Sequence, residues 1–327
     1  MKQLINPAVA LMNRLPMLYK FSLISILFLL PIGGLSWLVM TELNRSVETM
    51  TRSVEGLEQL RQIDRLVDAS MDYRDYRAPA VTKNESAIMA RSDDAAENIN
   101  SILESLAAQP RSFDSSGAWA DQVEALHADW LTLRADDNYQ TNFDPQFKYY
   151  QEFVQKVLAL LPATIETSGL GQGVSRENQL VLGLIRETVP DARSVIGQAR
   201  SYGFYALVEG QVGYALSETF NEIYDRLTNR SSLLSPALTI AANASPALAS
   251  KADDALQQVD ESLLNVRQLL DVNIITPMRL ELSWQEYDSL VSAQLAGYGV
   301  LKAAAFDVIE ANLNARLQQA VSQNSAS

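Results

Sequence analysis

The 327-residue sequence contains no cysteine and one histidine, His127. Without cysteine there is no disulfide framework, no thiolate nucleophile and no zinc–thiolate site. A single histidine rules out a His-rich metal site. No nucleophile, base and orienting residue stand out together around it, so an enzyme is not expected, and His127 reads as a surface or half-buried helix residue. Basic residues are also scarce: 26 Lys and Arg stand against 39 Asp and Glu, a formal charge of −13. No Lys/Arg-rich stripe could neutralise a phosphate backbone, which argues against nucleic acid as a partner. Missing too are period-two β-branched runs bounded by hairpin turns, so no sheet is expected.

Long apolar runs are absent with one exception, "KFSLISILFLLPIGGLSWLVM" at Lys20–Met40. About twenty helical residues span roughly 30 Å, the thickness of a bilayer's hydrocarbon core. A signal peptide would be shorter and would end in a small-residue cleavage site, which "SWLVMTELNRS" does not offer. The residues before the run include Lys2, Arg14 and Lys20 and no acid, the pattern of a cytoplasmic N-terminus. The run therefore reads as an uncleaved anchor over 21–40 carrying Phe21, Leu29, Pro31, Trp37 and Met40. Residues 1–20 form a cytoplasmic tail, and 41–327 form a domain exported across the bacterial inner membrane into the periplasm. Trp37 suits the outer interface, and Pro31 with Gly33 and Gly34 is tolerable in a membrane helix. The best downstream candidate, "YGVLKAAAFDVI", is broken by Lys302 and Asp307.

Beyond Met40 the pattern is helical. Leu43, Val47, Met50, Val54, Leu57, Leu60, Ile63, Val67 and Met71 recur about every 3.5 residues, the period of a helix packed along its length. The anchor is thus expected to run unbroken into a long helix ending near Pro79. Further helices are expected at 84–108, from Ser116, at 145–168, at 176–230 with a bend at Pro190, at 246–272, and at 277–320 opening with Pro277. The class is all-α: one transmembrane helix continuing into an elongated antiparallel bundle, best described as two bundles stacked end to end.

Chemistry-bearing candidates are few. Asp93-Asp94, Asp136-Asp137 and Asp253-Asp254 are adjacent on helices, point about 100° apart and read as solvated faces. The "GLGQG" loop lacks the Lys-Ser/Thr of a phosphate cradle. Trp119 and Trp130 read as core anchors. More telling are arginines among aromatics: Arg61, Arg65, Arg74 and Arg77 with Tyr73 and Tyr76, and Arg193 and Arg200 followed by Tyr202, Phe204 and Tyr205. Guanidinium groups beside a bundle interior can clamp a small carboxylate, or they can pair with the many acids. Arg61, Arg74, Arg77, Tyr73, Arg193, Arg200 and Tyr202 are the candidate ligand-binding residues. No cofactor or metal is indicated.

Three stretches together resemble a bacterial family. "LMNRLPMLYKFSLISILFLLP" is similar to the N-terminus of transmembrane methyl-accepting chemotaxis proteins and related sensors. "EGLEQLRQIDRL" resembles the start of their periplasmic helix, and "LVLGLIRETVPDARSVIGQARSYG", with Pro190 and the Gly197, Arg200, Gly203 spacing, resembles a later segment. The resemblance implies a periplasmic sensor region that binds a small solute or a partner protein; a carboxylate or amino acid, or a periplasmic binding protein, is the expected ligand, and a homodimer the expected assembly. It would relay a helix displacement across the membrane. Where relatives often carry His-Arg, this chain has Tyr73-Arg74 and Tyr76-Arg77. The second crossing, the HAMP linker and the cytoplasmic hairpin have no counterpart before Ser327, so the input region of a diguanylate cyclase or histidine kinase, or a ligand-free adaptor, stays open as an alternative.

Overall fold

The computed structural model describes residues 16–109, 112–136, 142–172 and 174–326. The tail with Lys2 and Arg14, the residues 137–141 that include Asp137, and Gly173 of the glycine loop lie outside them. Among the described residues every regular element is helical: α1 (Met17–Lys83), α2 (Ser86–Ala108), α3 (Ala118–Ala135), α4 (Phe143–Ser168), α5 (Arg176–Gly183), α6 (Val189–Glu209), α7 (Tyr214–Ala244), α8 (Pro246–Leu270) and α9 (Trp284–Ala326). The all-α expectation holds. The chain divides into two compact units, Met1–Met50 with Arg316–Ser327, and Thr51–Ala315.

In the first unit α1 carries the apolar run. Its side chains face outward: Leu29 is 64% exposed and Trp37 77%, with Phe21, Pro31 and Met40 exposed as well. This is one helix long and apolar enough to cross a membrane. A stripe of this kind is unfavourable in water and stable in hydrocarbon, where the helix satisfies its own backbone.

In the second unit the expected seam of α1 is buried at Leu57, Leu60, Ile63, Val67 and Met71. Toward α2–α4 the packing is aromatic. The Tyr73 ring meets Trp130 edge-on at 4.9 Å and Tyr150 at 5.5 Å. The Trp130 indole N–H donates to Asn100 Oδ1 at 2.6 Å and that of Trp119 to Thr164 Oγ1 at 2.8 Å, so both tryptophans are satisfied core anchors. Toward α6 and α9 the same stretch of α1 turns a row of acids, Asp64, Asp68, Asp72 and Asp75. Both groups of helices thus meet the same stretch of α1 through different residues, and 51–315 forms one compact unit.

Several boundaries differ from the sequence reading, each for a local reason. α1 passes through Pro79 and stops where Asn84 takes a left-handed φ of 52°. The 176–230 helix is broken at Gly210, whose φ of 76° ends α6 before α7 begins at Tyr214. Pro190 does cause a distortion, but as a π-turn over Leu184–Thr188 in which the Val189 N–H reaches the Leu184 carbonyl. A wider turn accommodates a residue with no N–H to give. The "SSLLSPALTIAANASP" stretch is helix through Pro236 to Ala244; the break is Ser245, whose hydroxyl caps α8 at Leu248 N. The last helix opens at Trp284 and not at Pro277. Ser283 Oγ accepts from Glu286 N while the Glu286 carboxylate accepts from Ser283 N, a reciprocal capping box spelled "SWQE".

Candidate functional site

The acids of α1 recur at steps of four, four and three, which keeps them on one helix face. α9 and α6 supply their counter-ions. Lys302, nearly buried, donates to Asp68 at 2.5 Å and lies 2.9 Å from Asp64. Arg193 reaches Asp72 at 2.5 Å and lies 3.6 Å from Asp75; Arg200 reaches Asp72 at 2.5 Å and Asp75 at 2.8 Å. Arg200 also lies over the Tyr76 ring at 4.7 Å, and the Tyr76 hydroxyl donates to Asp288 of α9 at 2.9 Å. This ladder ties α1 to α6 and α9 by charge.

Close approach makes the ladder possible. A Cβ on Gly197 would sit 2.4 Å from Asp75 Oδ2 and 2.5 Å from Arg74 Nη2, and one on Gly203 would sit 2.4 Å from the Tyr287 ring. The Tyr287 hydroxyl, in turn, donates to the Ala199 carbonyl at 3.0 Å. The Gly197, Arg200, Gly203 spacing thus has a packing cause: two gaps one turn either side of the central guanidinium admit α1 and α9 to α6.

The electrostatics follow the geometry. Burial pushes Asp64 up to about 6, with Lys302 opposing and Asp68 reinforcing. Its Oδ1 has no hydrogen-bond partner. Burial also works against the Asp72 carboxylate, yet Arg193 and Arg200 outweigh it and hold Asp72 below the usual carboxylate range. Arg200 is raised well above the ordinary arginine value, because Asp72 and Asp75 overcome the penalty of burial. Arg74 moves the other way, lowered by burial that Asp75 does not fully offset.

Arg74, itself buried, also lines a cavity beside the ladder. A cavity of about 680 Å³ is walled by α4, α6 and α7, with Arg74 of α1 in its lining. Arg74 donates to Asp75 at 2.6 Å, to Gln151 Oε1 and to Ser194 Oγ at 3.2 Å, and lies over the Phe147 ring at 4.9 Å. Around it stand ion pairs: Lys148 with Asp144 at 2.6 Å, Arg230 with Asp191 at 2.6 Å and Arg226 with Glu222 at 3.5 Å. Tyr202 enters the wall by donating its hydroxyl to Asp144, and burial first, then that bond, raises its pKa.

Of the seven sequence candidates, the structure brings Arg74 and Tyr202 to the cavity. Arg193 and Arg200 stand behind it, engaged by Asp72 and Asp75. Tyr73 is core. Arg77 lies 3.6 Å from Asp93. Arg61, on Glu310 and over Phe306, belongs to a separate hollow with Asp64, Arg65 and Lys302. Missed by the sequence reading were Lys148, Gln151, Ser194, Gln198, Arg226 and Arg230. Residues of these types occur all along solvated helix faces, and only the crossing of α4, α6 and α7 distinguishes them. Of the paired acids, Asp93, Asp94, Asp253 and Asp254 are exposed, with Asp93 3.6 Å from both Arg77 and Arg134, whereas Asp136 is half-buried and accepts from the Tyr149 hydroxyl; His127 is half-buried. Among the described residues no cluster of His, Cys, Asp and Glu could hold a metal. Compared with protein-family models, curated proteins and solved structures, the chain matches none.

Proposed function

We propose that the chain is the input region of a membrane-anchored helical sensor, of the kind found in methyl-accepting chemotaxis proteins, and that it detects a small solute in the cavity between α4, α6 and α7. The observation that carries this is the position of Arg74. One guanidinium belongs both to the cavity wall and, through Asp75, to the charged ladder that holds α1 against α6 and α9. A cavity of about 680 Å³ falls within the roughly 300–1,000 Å³ of small-molecule sites.

A ligand shifts a conformational equilibrium only by its differential affinity for the two states. A solute that draws on Arg74 changes how Asp75 is shared with Arg200 and Arg193, and so changes the preferred packing of α1. Because α1 is one helix from Met17 to Lys83, that bias has a continuous path toward the anchor, with the sensing domain outside the bacterial inner membrane and the tail in the cytoplasm. Chemoreceptor, cyclase and kinase outputs would use such an input alike; the chemotaxis receptor is the reading that the sequence resemblance favours, acting as a homodimer.

A thermal-shift screen of the full chain in detergent micelles, against small polar solutes, tests the proposal. A binding solute should raise Tm, and Thr219→Trp should remove the shift. Thr219 lines the cavity and its hydroxyl only returns to the Ala215 carbonyl of its own helix. A folded helical chain that responds to no solute would sink the sensor reading.

A further inference from the structure

We infer that the cavity takes a small oxyanion, and that it is read by the side chains of Gln151, Ser194 and Gln198, with arginines acting as their positioning groups. The inference rests on the sensor reading above and reverses the simplest expectation, in which the arginines themselves grip the ligand. Gln151 Oε1 and Ser194 Oγ both accept from Arg74 Nη1, and Gln198 Oε1 accepts from Arg226 Nη1 at 2.8 Å. A guanidinium has five donors and no acceptor, so each of these oxygens must face its arginine. The orientation of both amides is thereby fixed. What the three residues have left to offer is the Nε2 hydrogens of Gln151 and Gln198 and the hydroxyl hydrogen of Ser194, all donors.

Each carboxylate of the wall already faces a cation. Asp144 takes Lys148 and the Tyr202 hydroxyl, Asp191 takes Arg230, and Glu222 takes Arg226. Thr219 donates within its own helix. Behind the wall, Arg74, Arg193 and Arg200 all lean on the Asp75 carboxylate. Asp72 answers Arg193 and Arg200, so Arg74 is the guanidinium of this group whose charge is shared toward the cavity side, where a negative group is favoured. An acceptor-only group, the oxygens of a carboxylate, phosphate or sulfonate, complements this wall. A polyamine would have to compete with Lys148, Arg230 and Arg226 for these carboxylates, and a polyol would meet the three donors only with neutral, weaker acceptors.

The test is isothermal titration calorimetry on the full chain in detergent at fixed ionic strength. The probes are benzoate, inorganic phosphate, methanesulfonate, spermidine and xylitol. At least one oxyanion should bind, and comparison of benzoate with the two tetrahedral anions tells a carboxylate site from a phosphate or sulfonate site. Gln151→Glu and Gln198→Glu each keep an oxygen for the arginine but remove the amide donors. Each should weaken the oxyanion by about tenfold or more while leaving Tm near that of the unaltered chain, the effect of losing a hydrogen bond to a charged group. Arg226→Gln, which frees the Gln198 amide to turn, should erode the discrimination against xylitol. Full oxyanion affinity in both glutamate variants would overturn the inference, as would binding of spermidine or xylitol with no oxyanion bound. In that last case the sensor reading stands and only the ligand class falls; silence from all three oxyanions overturns the class, and the broader thermal-shift screen then decides the sensor reading on its own.

Discussion

Arg200→Ala separates a structural guanidinium from a ligand-gripping one. The side chain is 3% exposed, bonds Asp72 and Asp75 at 2.5 and 2.8 Å, and lies 4.7 Å over the Tyr76 ring. Its removal leaves Asp75, which is fully buried, to Arg74 and Arg193, and leaves Asp72 to Arg193 alone. Breaking a buried ion pair by deleting one partner costs roughly 3–5 kcal/mol, because the other charge stays desolvated. Arg61→Ala is the internal control. Its pair with Glu310 is half in solvent, at 26% and 49% exposure, where such pairs contribute about 0.2–1 kcal/mol. Urea unfolding of the full chain in detergent, followed by helical circular dichroism, should place Arg200→Ala several kcal/mol below Arg61→Ala. A double mutant with Asp72→Asn should recover part of the loss, since it removes a carboxylate that would otherwise be left with too little counter-charge. A loss below about 1 kcal/mol for Arg200→Ala would refute the assignment of Arg200 to the ladder's structural core.

Three further outcomes are expected. The native carboxyl of Asp64 titrates near 6 while its unfolded value is near 3.8, so between those pH values the native state holds the extra proton and stability falls as pH rises. Asp64→Asn should therefore gain in Tm relative to the unaltered chain on going from pH 4.5 to pH 7.5, and a difference that stays flat or moves the other way would contradict the burial of that carboxyl. Gly203→Ala places a methyl 2.4 Å from the Tyr287 ring and should cost about 1–3 kcal/mol, in part restored by Tyr287→Leu; neutrality in denaturant melts would mean that α6 and α9 are not in contact there. Ser283→Ala removes one half of the capping box of α9 and should cost about 1 kcal/mol, measurable in the same melts.

The helical class, the apolar run and the buried seam from Leu57 to Met71 were legible in the sequence, because helix formation and amphipathic burial are set by residues three and four apart on one strand of chain. Breaks marked by unusual backbone were legible in principle: the left-handed Gly210 and the "SWQE" box are local signals, and they mattered more than Pro277, Pro236 and Pro79, which α-helices and their flanks absorbed. Among the candidate residues, chain order could say that Arg74 and Arg200 sit near aromatics. It could not say that Arg200 is locked by Asp72 and Asp75 while Arg74 reaches a cavity, since partners 77 to 128 residues apart meet only when helices cross.

The sequence by itself determined that this chain is helical, that one segment suits a bilayer, and that its chemistry must be done without thiols and with one histidine. Tertiary structure alone decided that α1 is shared by both groups of helices, that Gly197 and Gly203 open room for Asp75 and Tyr287, and that Gln151, Ser194 and Gln198 present donors with their acceptors already spent on arginines. The reason is physical: propensity and periodicity act over one helical turn, whereas charge pairing and cavity walls depend on which faces desolvate one another across the fold.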